Sequence, residues 1–427
     1  MNKSKEILIT GFALFSMFFG AGNLILPPFL GVQSGDNWWL VTLGFAITAV
    51  IIPILAIIAH AKLQGTLYDF AKPISPVFAS VYCFIIYVIC ILLPAPRTAS
   101  VTHEMAIEPF FNSNSLLTSG IYFGLVLLFV LNRSKVTQLL GKFLTPLIVL
   151  ILLAIIFIGC FTSPDIIQAT DYLSPFSSGV LEGYQTFDAI GGAVIGGVIV
   201  ISLKIKGFHT FENIKQLIIK SGLLAGFGLL IIYTGLLFNG AAFGAEFSGD
   251  ITRTALLNQL SILTLGQTGA VFLSVLVALA CFTTAVGIIT GTADYFKGVF
   301  NQSQKAYQIT AIIGCFFGVL VGQFNVAFII DIAIPILLII YPVTIVLIIL
   351  NAIPSKFTNP KLFKVVVYTT ILFSLPDVLH VVFPENKVVL GLLNFIPFSK
   401  QSFGWVMPSL ASYIVAYVYF KFLSNAK

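Results

Sequence analysis

Ser16-Met17-Phe18-Phe19-Gly20-Ala21-Gly22-Asn23-Leu24-Ile25-Leu26-Pro27-Pro28 is the stretch on which the fold turns. It lies inside the first long apolar run of the chain, where an uninterrupted helix is the default. Glycine frees the backbone from helical geometry, and proline removes a donor and blocks continuation. Small-residue pairs in membrane helices often serve only as packing notches. Here an Asn and a double Pro follow at once, which favours a break. Interrupted backbone at membrane depth is tolerated only where it is buried in protein or lines a cavity. Lys3 and Lys5 precede the run as they would in a signal peptide, but no A-x-A-like cleavage site follows, so it reads as a mature first span.

The rest of the 427 residues agrees with a membrane reading. Hydrophobic residues make up 58% and charged residues 9%, with mean hydropathy +1.04. A soluble domain carries about 25% charged residues, so this surface cannot face water on all sides. The net charge of +6 is spread over loops and indicates no nucleic-acid partner. The five cysteines sit in apolar runs, without metal spacing, and read as packing residues.

A membrane helix needs about 20 apolar residues. Twelve segments qualify, near 7–30, 39–60, 76–103, 116–132, 143–162, 184–204, 216–238, 266–293, 307–323, 328–350, 365–383 and 405–423. The apolar stretch 384–404, with Pro384, Pro397 and two lysines, reads as a re-entrant or interfacial loop. With the N-terminus inside, 18 of the 22 lysines and arginines fall on the cytoplasmic side, leaving Arg97, Arg253, Lys387 and Lys400 outside. Both termini are then cytoplasmic, and the chain is a multi-pass protein of a bacterial cytoplasmic membrane. Trp38 and Trp39 read as interfacial anchors.

A second interruption is expected in the sixth span, at Thr186-Phe187-Asp188-Ala189-Ile190-Gly191-Gly192; Gly196-Gly197 read as a packing notch. Five spans separate the two oddities, which predicts an all-α fold. A first five-helix repeat occupies 7–162, an inverted second repeat 184–350, and two accessory helices 365–423, all in one membrane domain. Each break would place new helix ends in mid-membrane. N-termini suit a carboxylate, and C-terminal carbonyls suit an ammonium group or hard cation. The predicted substrate-binding set is Phe19, Gly20, Ala21, Gly22, Asn23, Thr186, Phe187, Asp188, Gly191 and Gly192. Its apolar members suit an aliphatic side chain, with weak discrimination by size. Uphill transport would draw on a cation, worth about 2.3 kcal/mol per 100 mV.

Arg97 and Glu104, seven residues apart, share a helical face, and Asp331 lies on the outer half of the tenth span. Arg97 or a neighbour is expected to pair with Asp331 as an outer gate, since intramembrane charges are usually paired. Asp377 and His380 lie outside the proposed core and read as structural. A carrier of two six-helix halves is disfavoured because no Gly-x-x-x-Asp-Arg-type run follows the second span. A membrane enzyme would need clustered carboxylates or histidines, and the four histidines are scattered. A channel would need a filter repeat, and none is present.

Phe12-Ala13-Leu14-Phe15 leading into the quoted run, Pro96-Arg97-Thr98-Ala99-Ser100-Val101, and Cys281-Phe282-Thr283-Thr284-Ala285-Val286-Gly287 together resemble the branched-chain amino acid:cation symporter family. The resemblance covers nearly the whole chain. It implies sodium- or proton-coupled import of leucine, isoleucine and valine by alternating access, within the leucine-transporter-like fold, with no other cofactor. By position in that fold it implies a sodium site from the carbonyls of Ser16, Phe19 and Ala280 and the hydroxyls of Thr283 and Thr284. Asp188 departs from the wider pattern and keeps a proton-coupled permease of the same fold as the alternative. The sequence sets no oligomeric state.

Overall fold

The computed structural model describes residues 3–132, 136–162, 167–247 and 250–425. Among the charges used for orientation, Arg133, Lys135 and Lys427 lie outside these residues. The described residues are helical and contain no strand. The helices are α1 (Lys3–Phe18), α2 (Leu26–Ser34), α3 (Trp38–Ala46), α4 (Ile52–Leu63), α5 (Leu67–Ala71), α6 (Pro76–Leu92), α7 (Pro94–Thr102), α8 (Ser115–Asn132) and α9 (Val136–Thr162). They continue as α10 (Pro175–Tyr184), α11 (Asp188–Ile205), α12 (Phe211–Ala242), α13 (Arg253–Val299), α14 (Gln304–Gly322), α15 (Val326–Ala352), α16 (Pro360–Val382), α17 (Lys387–Phe395) and α18 (Val406–Asn425). Nine helical stretches among the described residues are long and apolar enough to cross a membrane, and Pro146–Thr162 is a shorter apolar helix.

Local chemistry sets many of the helix starts. Asn325 and Asn359 side chains accept from Phe328 N and Leu362 N at 2.8 Å each, and Ser75 accepts from Phe78 N at 3.0 Å. Such caps satisfy donors that a helix leaves free at its first turn. Helices are then packed through small residues. A Cβ on Gly31 would strike the Leu237 carbonyl oxygen of α12, so α2 and α12 meet backbone to backbone.

Four features differ from the sequence reading. The sixth-span break is confined to Gln185–Phe187, and α11 runs without interruption through Gly191-Gly192 and Gly196-Gly197. A short helix, α10, precedes that break where a loop was expected. α13 begins 13 residues before the expected eighth span and kinks at Gly266 (φ 74°), where only glycine is unstrained. The stretch 384–404 folds as α17 plus a 3₁₀ turn at Ser399–Gln401. It is pinned to α16 by the buried Asp377, which accepts from Ser399 Oγ at 2.6 Å and Gly404 N at 3.0 Å.

Candidate functional site

α1 stops at Phe18, a 3₁₀ turn covers Ala21–Asn23, and α2 restarts at Leu26. Asn23 closes the end of α1. Its Nδ2 donates to Phe18 O at 2.9 Å, beside the Gly20 amide, which donates to the same oxygen at 2.8 Å. The same amide reaches Asp188 Oδ1 at 2.9 Å, Asp188 Oδ2 at 3.1 Å and Tyr233 Oη at 3.2 Å. Tyr233, from the middle of α12, donates to Asp188 Oδ2 at 3.3 Å.

Asp188 is the first residue of α11. Ahead of it Phe187 takes a left-handed conformation (φ 60°), and Thr186 Oγ1 accepts from the Asp188 amide at 3.2 Å. This turn places the carboxylate at the positive end of a helix, a favourable location for an anion. Asp188 is 4% exposed and makes no ion pair among the described residues.

Arg97 supplies the opposite charge. Pro94 and Pro96 prevent α6 from continuing, and Leu93 (φ −119°, ψ −70°) redirects the chain into α7. The Arg97 guanidinium then lies between the two breaks. It donates to Gln185 O at 2.7 Å and rests over the Phe187 ring at 5.3 Å. A Cβ on Gly22 would sit 2.7 Å from Nη2 and 2.8 Å from Nε, so glycine is required for this approach. A guanidinium has five donors, and Gln185 O takes one. Arg97 is 4% exposed. No Arg97–Asp331 ion pair is present among the described residues: Arg97 faces the breaks, while Asp331 is exposed on α15. Glu104, in the π turn His103–Ile107, has partners different from those of Arg97. It instead accepts from Val326 N at 2.8 Å and from the Thr254 hydroxyl, tying α15 and α13 at the rim of a cavity of about 520 Å³.

The glycines divide by surroundings. A Cβ on Gly20 would meet nothing within 4 Å, and one on Gly191 would meet only Ile195 of its own helix, at 3.8 Å. Gly192 does not face open space: its Cβ would lie 2.9 Å from Pro53 O and 3.1 Å from Ala56 Cβ. Gly192 is thus a contact with α4 and not part of a substrate pocket. Gly196 packs against the His60 ring in the same way. Phe19, Phe187, Thr186 and Ile190 are buried around the breaks; Ala21 is placed in the turn, and its side chain lies outside the described residues.

For the expected cation ligands, Thr283 Oγ1 donates to Ala280 O at 3.0 Å, leaving its lone pairs free, and Thr284 and Ser16 are half-buried. The Ala21–Asn23 turn packs on both α13 and α7. Three residues of the cluster escaped the sequence reading: Gln185, Tyr233 and Tyr341. Among the described residues Gln185 Oε1 is buried without a hydrogen-bond partner, and the buried Tyr341 Oη, near Thr186 and Ala189, makes no well-formed bond, although buried polar atoms are nearly always bonded. A tyrosine in mid-span, whose hydroxyl needs a partner, was the available signal.

At the N-terminal face Lys206, just beyond α11, pairs with the buried Glu6 of α1. At the opposite face Arg253 pairs with Glu182 of α10 at 2.8 Å and lies 4.5 Å over the Phe29 ring of α2.

Residues 3–423 match the family model described as "Branched-chain amino acid transport protein". The chain belongs to that family. It is 33% identical to the branched-chain amino acid permease BraB of Bacillus subtilis, over 99% of this chain and 97% of that protein. It is 31% identical to the branched-chain amino acid transport system 2 carrier protein of Pseudomonas aeruginosa, over 97% and 96%. The transporter also shares its fold with Mhp1, a nucleobase-cation-symport-1 family transporter solved in a closed conformation with bromovinylhydantoin bound. The TM-score is 0.66 at 12% identity, over 97% of this chain and 93% of that one. The inward-facing form of Mhp1 gives 0.57 at 13% identity, over 96% and 90%. The fold is leucine-transporter-like, and the chain is a membrane transporter, not an enzyme.

Proposed function

We propose that this transporter imports leucine, isoleucine and valine by cation-coupled symport, and that Arg97 and Asp188 hold the two ends of the amino acid. The carrying observation is a buried guanidinium and a buried carboxylate at the two breaks, unpaired with each other. Burial of an isolated charge is costly unless a partner or ligand satisfies it. A zwitterion supplies both partners at once, its carboxylate toward Arg97 and its ammonium toward Asp188.

Helix α2 is a poor carboxylate site by itself. Pro27 and Pro28 remove two of the N–H groups that its first turn would present. This is why the carboxylate is assigned to Arg97 and not to the helix end. The space beside Gly20 and Gly191, near Phe18 and Ile190, takes the aliphatic side chain.

The coupling ion in this reading is sodium, held by the carbonyls of Ser16, Phe19 and Ala280 with the Thr283 and Thr284 hydroxyls. Five oxygens suit a hard cation. The inverted repeats 7–162 and 184–350 would rock about the site, with 365–423 accessory, in twelve spans across a bacterial cytoplasmic membrane and both termini inside. Lys206–Glu6 then closes the cytoplasmic side and Arg253–Glu182 the outer side.

Radiolabelled leucine uptake into proteoliposomes tests this. Uptake should require an inward sodium gradient, be competed by isoleucine and valine, and lose its sodium requirement's saturation range in Thr283→Ala with Thr284→Ala. Uptake driven equally by a proton gradient in sodium-free buffer would refute the sodium assignment and leave the substrate assignment standing.

A further inference from the structure

His60 lies in the last turn of α4, fully buried. Both ring nitrogens face carbonyl oxygens: Nδ1 lies 3.1 Å from Gly65 O, and Nε2 lies 2.7 Å from Ala193 O of α11. A neutral imidazole has one donor and one acceptor. In either neutral tautomer a ring lone pair would point at a carbonyl lone pair, in a site with no room for a mediating water at those distances. The imidazolium donates twice and satisfies both. The 2.7 Å separation to Ala193 O is in the range of charge-assisted bonds.

Full burial is the largest influence on the ring and costs the charged form, and the neighbours act against that cost. The C-terminal end of α4 carries partial negative charge. The Phe70 ring lies against the imidazole, tilted by 37° with centroids 4.3 Å apart, and an aromatic ring at this distance attracts a cation. The Asp69 carboxylate is within electrostatic reach. Other ionisable groups on the adjoining elements face away. Lys62 donates to the carbonyls of Asn351 and Ile353. On α12, Glu212 and Lys215 pair with each other at 3.6 Å and Lys220 is exposed. On α11, Asp188 and Lys204 lie at opposite ends. Gly196 and Gly197 form the recess that admits the ring: a Cβ on Gly196 would overlap it, and one on Gly197 would lie 3.6 Å from Cε1.

We propose that His60 is a proton-binding site, and that its imidazolium clamps half-helix α11 to the end of α4 until the proton leaves. α11 is the helix whose first residue is Asp188 and whose far end meets Glu6 through Lys206. Release of the proton to water removes one of the two donated bonds and turns a ring lone pair toward a carbonyl. The clamp then opens on the side of the molecule that carries the N-terminus.

Nitrogen-15 NMR of histidine-labelled full-length protein in lipid nanodiscs reads the proton directly. His60→Gln identifies the signal, and a His103→Gln, His209→Gln, His380→Gln variant, which leaves His60 in place, does so if the first does not fold. Two protonated ring nitrogens at some pH between about 6 and about 8, the window of a physiological imidazole switch, support the site. A bare ring nitrogen throughout that window overturns it. The clamp itself is read by leucine counterflow, which rests on the transport reading above, whereas the NMR result does not. Native counterflow should rise about tenfold, ~1.4 kcal/mol, as the pH at the N-terminal face rises through the transition, and His60→Gln should be flat. A His60→Gln protein with the native pH profile would overturn the clamp.

Discussion

Arg97→Gln removes the positive charge between the two breaks and tests where the substrate carboxylate sits. The guanidinium has one donor engaged, by Gln185 O at 2.7 Å, and its remaining donors are available to a ligand. Two charge-assisted bonds to a carboxylate, at about 1.5–3 kcal/mol each, amount to ~3–6 kcal/mol. That corresponds to a loss of about 10²- to 10⁴-fold in leucine affinity. The native protein should reject leucinamide, which lacks the carboxylate, by the same factor. Arg97→Gln should bind leucinamide about as well as the native protein does, because the interaction is already missing from that pair. Equilibrium binding of labelled leucine to purified protein, with leucinamide as competitor, measures all four corners of this cycle, and thermal unfolding confirms that the variant is folded. If leucinamide competes with the native protein as effectively as leucine, or if Arg97→Gln weakens both ligands equally, Arg97 does not hold the carboxylate.

Gly22→Ala should weaken leucine binding by about tenfold or more, ~1.4 kcal/mol, because its Cβ would lie 2.7 Å from the Arg97 guanidinium; Gly20→Ala, whose Cβ meets nothing, should instead lower leucine affinity relative to valine, as competition assays will read. Glu6→Gln should speed hydrogen exchange of the α1 amides by up to about fivefold, since a partly exposed ion pair is worth at most about 1 kcal/mol, and leave α2 unchanged. Asp377→Asn should lower stability by about 1–3 kcal/mol, because an amide cannot accept from both Ser399 and Gly404 as the carboxylate does; the unfolding midpoint should fall while leucine affinity holds.

What was legible in the sequence was chemistry local to the chain. Gly20, Gly22 and the two prolines mark the first interruption in the sequence itself, and Arg97, Asp188 and Tyr233 complete it from other helices. Around Asp188 the chain turns only at Gln185–Phe187, a narrower stretch than the glycines suggest. Glycine permits both an unwound turn and a tight helix contact, and only the neighbours decide. Pro53 and Ala56 of α4 claim Gly192, and His60 claims Gly196. Tyr233 and Tyr341 were passed over because a tyrosine in an apolar run looks like core until its hydroxyl is seen to need a partner. His60 was set aside as one of four scattered histidines; nothing in its local sequence announces that a carbonyl from residue 193 closes its second nitrogen.

The contact that joins the two breaks is built to be exchanged. Asn23 Nδ2 has two hydrogens but lies within 3.2 Å of four acceptors: Phe18 O, both Asp188 oxygens and Tyr233 Oη. It is oversubscribed. If an ammonium group takes the Asp188 carboxylate, Asn23 still has Phe18 O and Tyr233 Oη for its two hydrogens, so no buried donor is orphaned, the outcome that would cost about 1–3 kcal/mol. Asp188, meanwhile, trades a neutral amide for a full positive charge, and a bond to an ionised donor is roughly twice as strong as a neutral one. In the proposed reading, substrate entry at this point would replace a direct tie between α1 and α11 with a tie through the ligand, at little cost to the protein. At the two faces, Glu6 of α1 pairs with Lys206 beyond α11, and Arg253 of α13 pairs with Glu182 of α10 and lies over the Phe29 ring of α2. A ligand that fills the centre can thus alter how strongly the half-helices are coupled without breaking either face pair itself, which is the property a carrier with one central site and two gates requires.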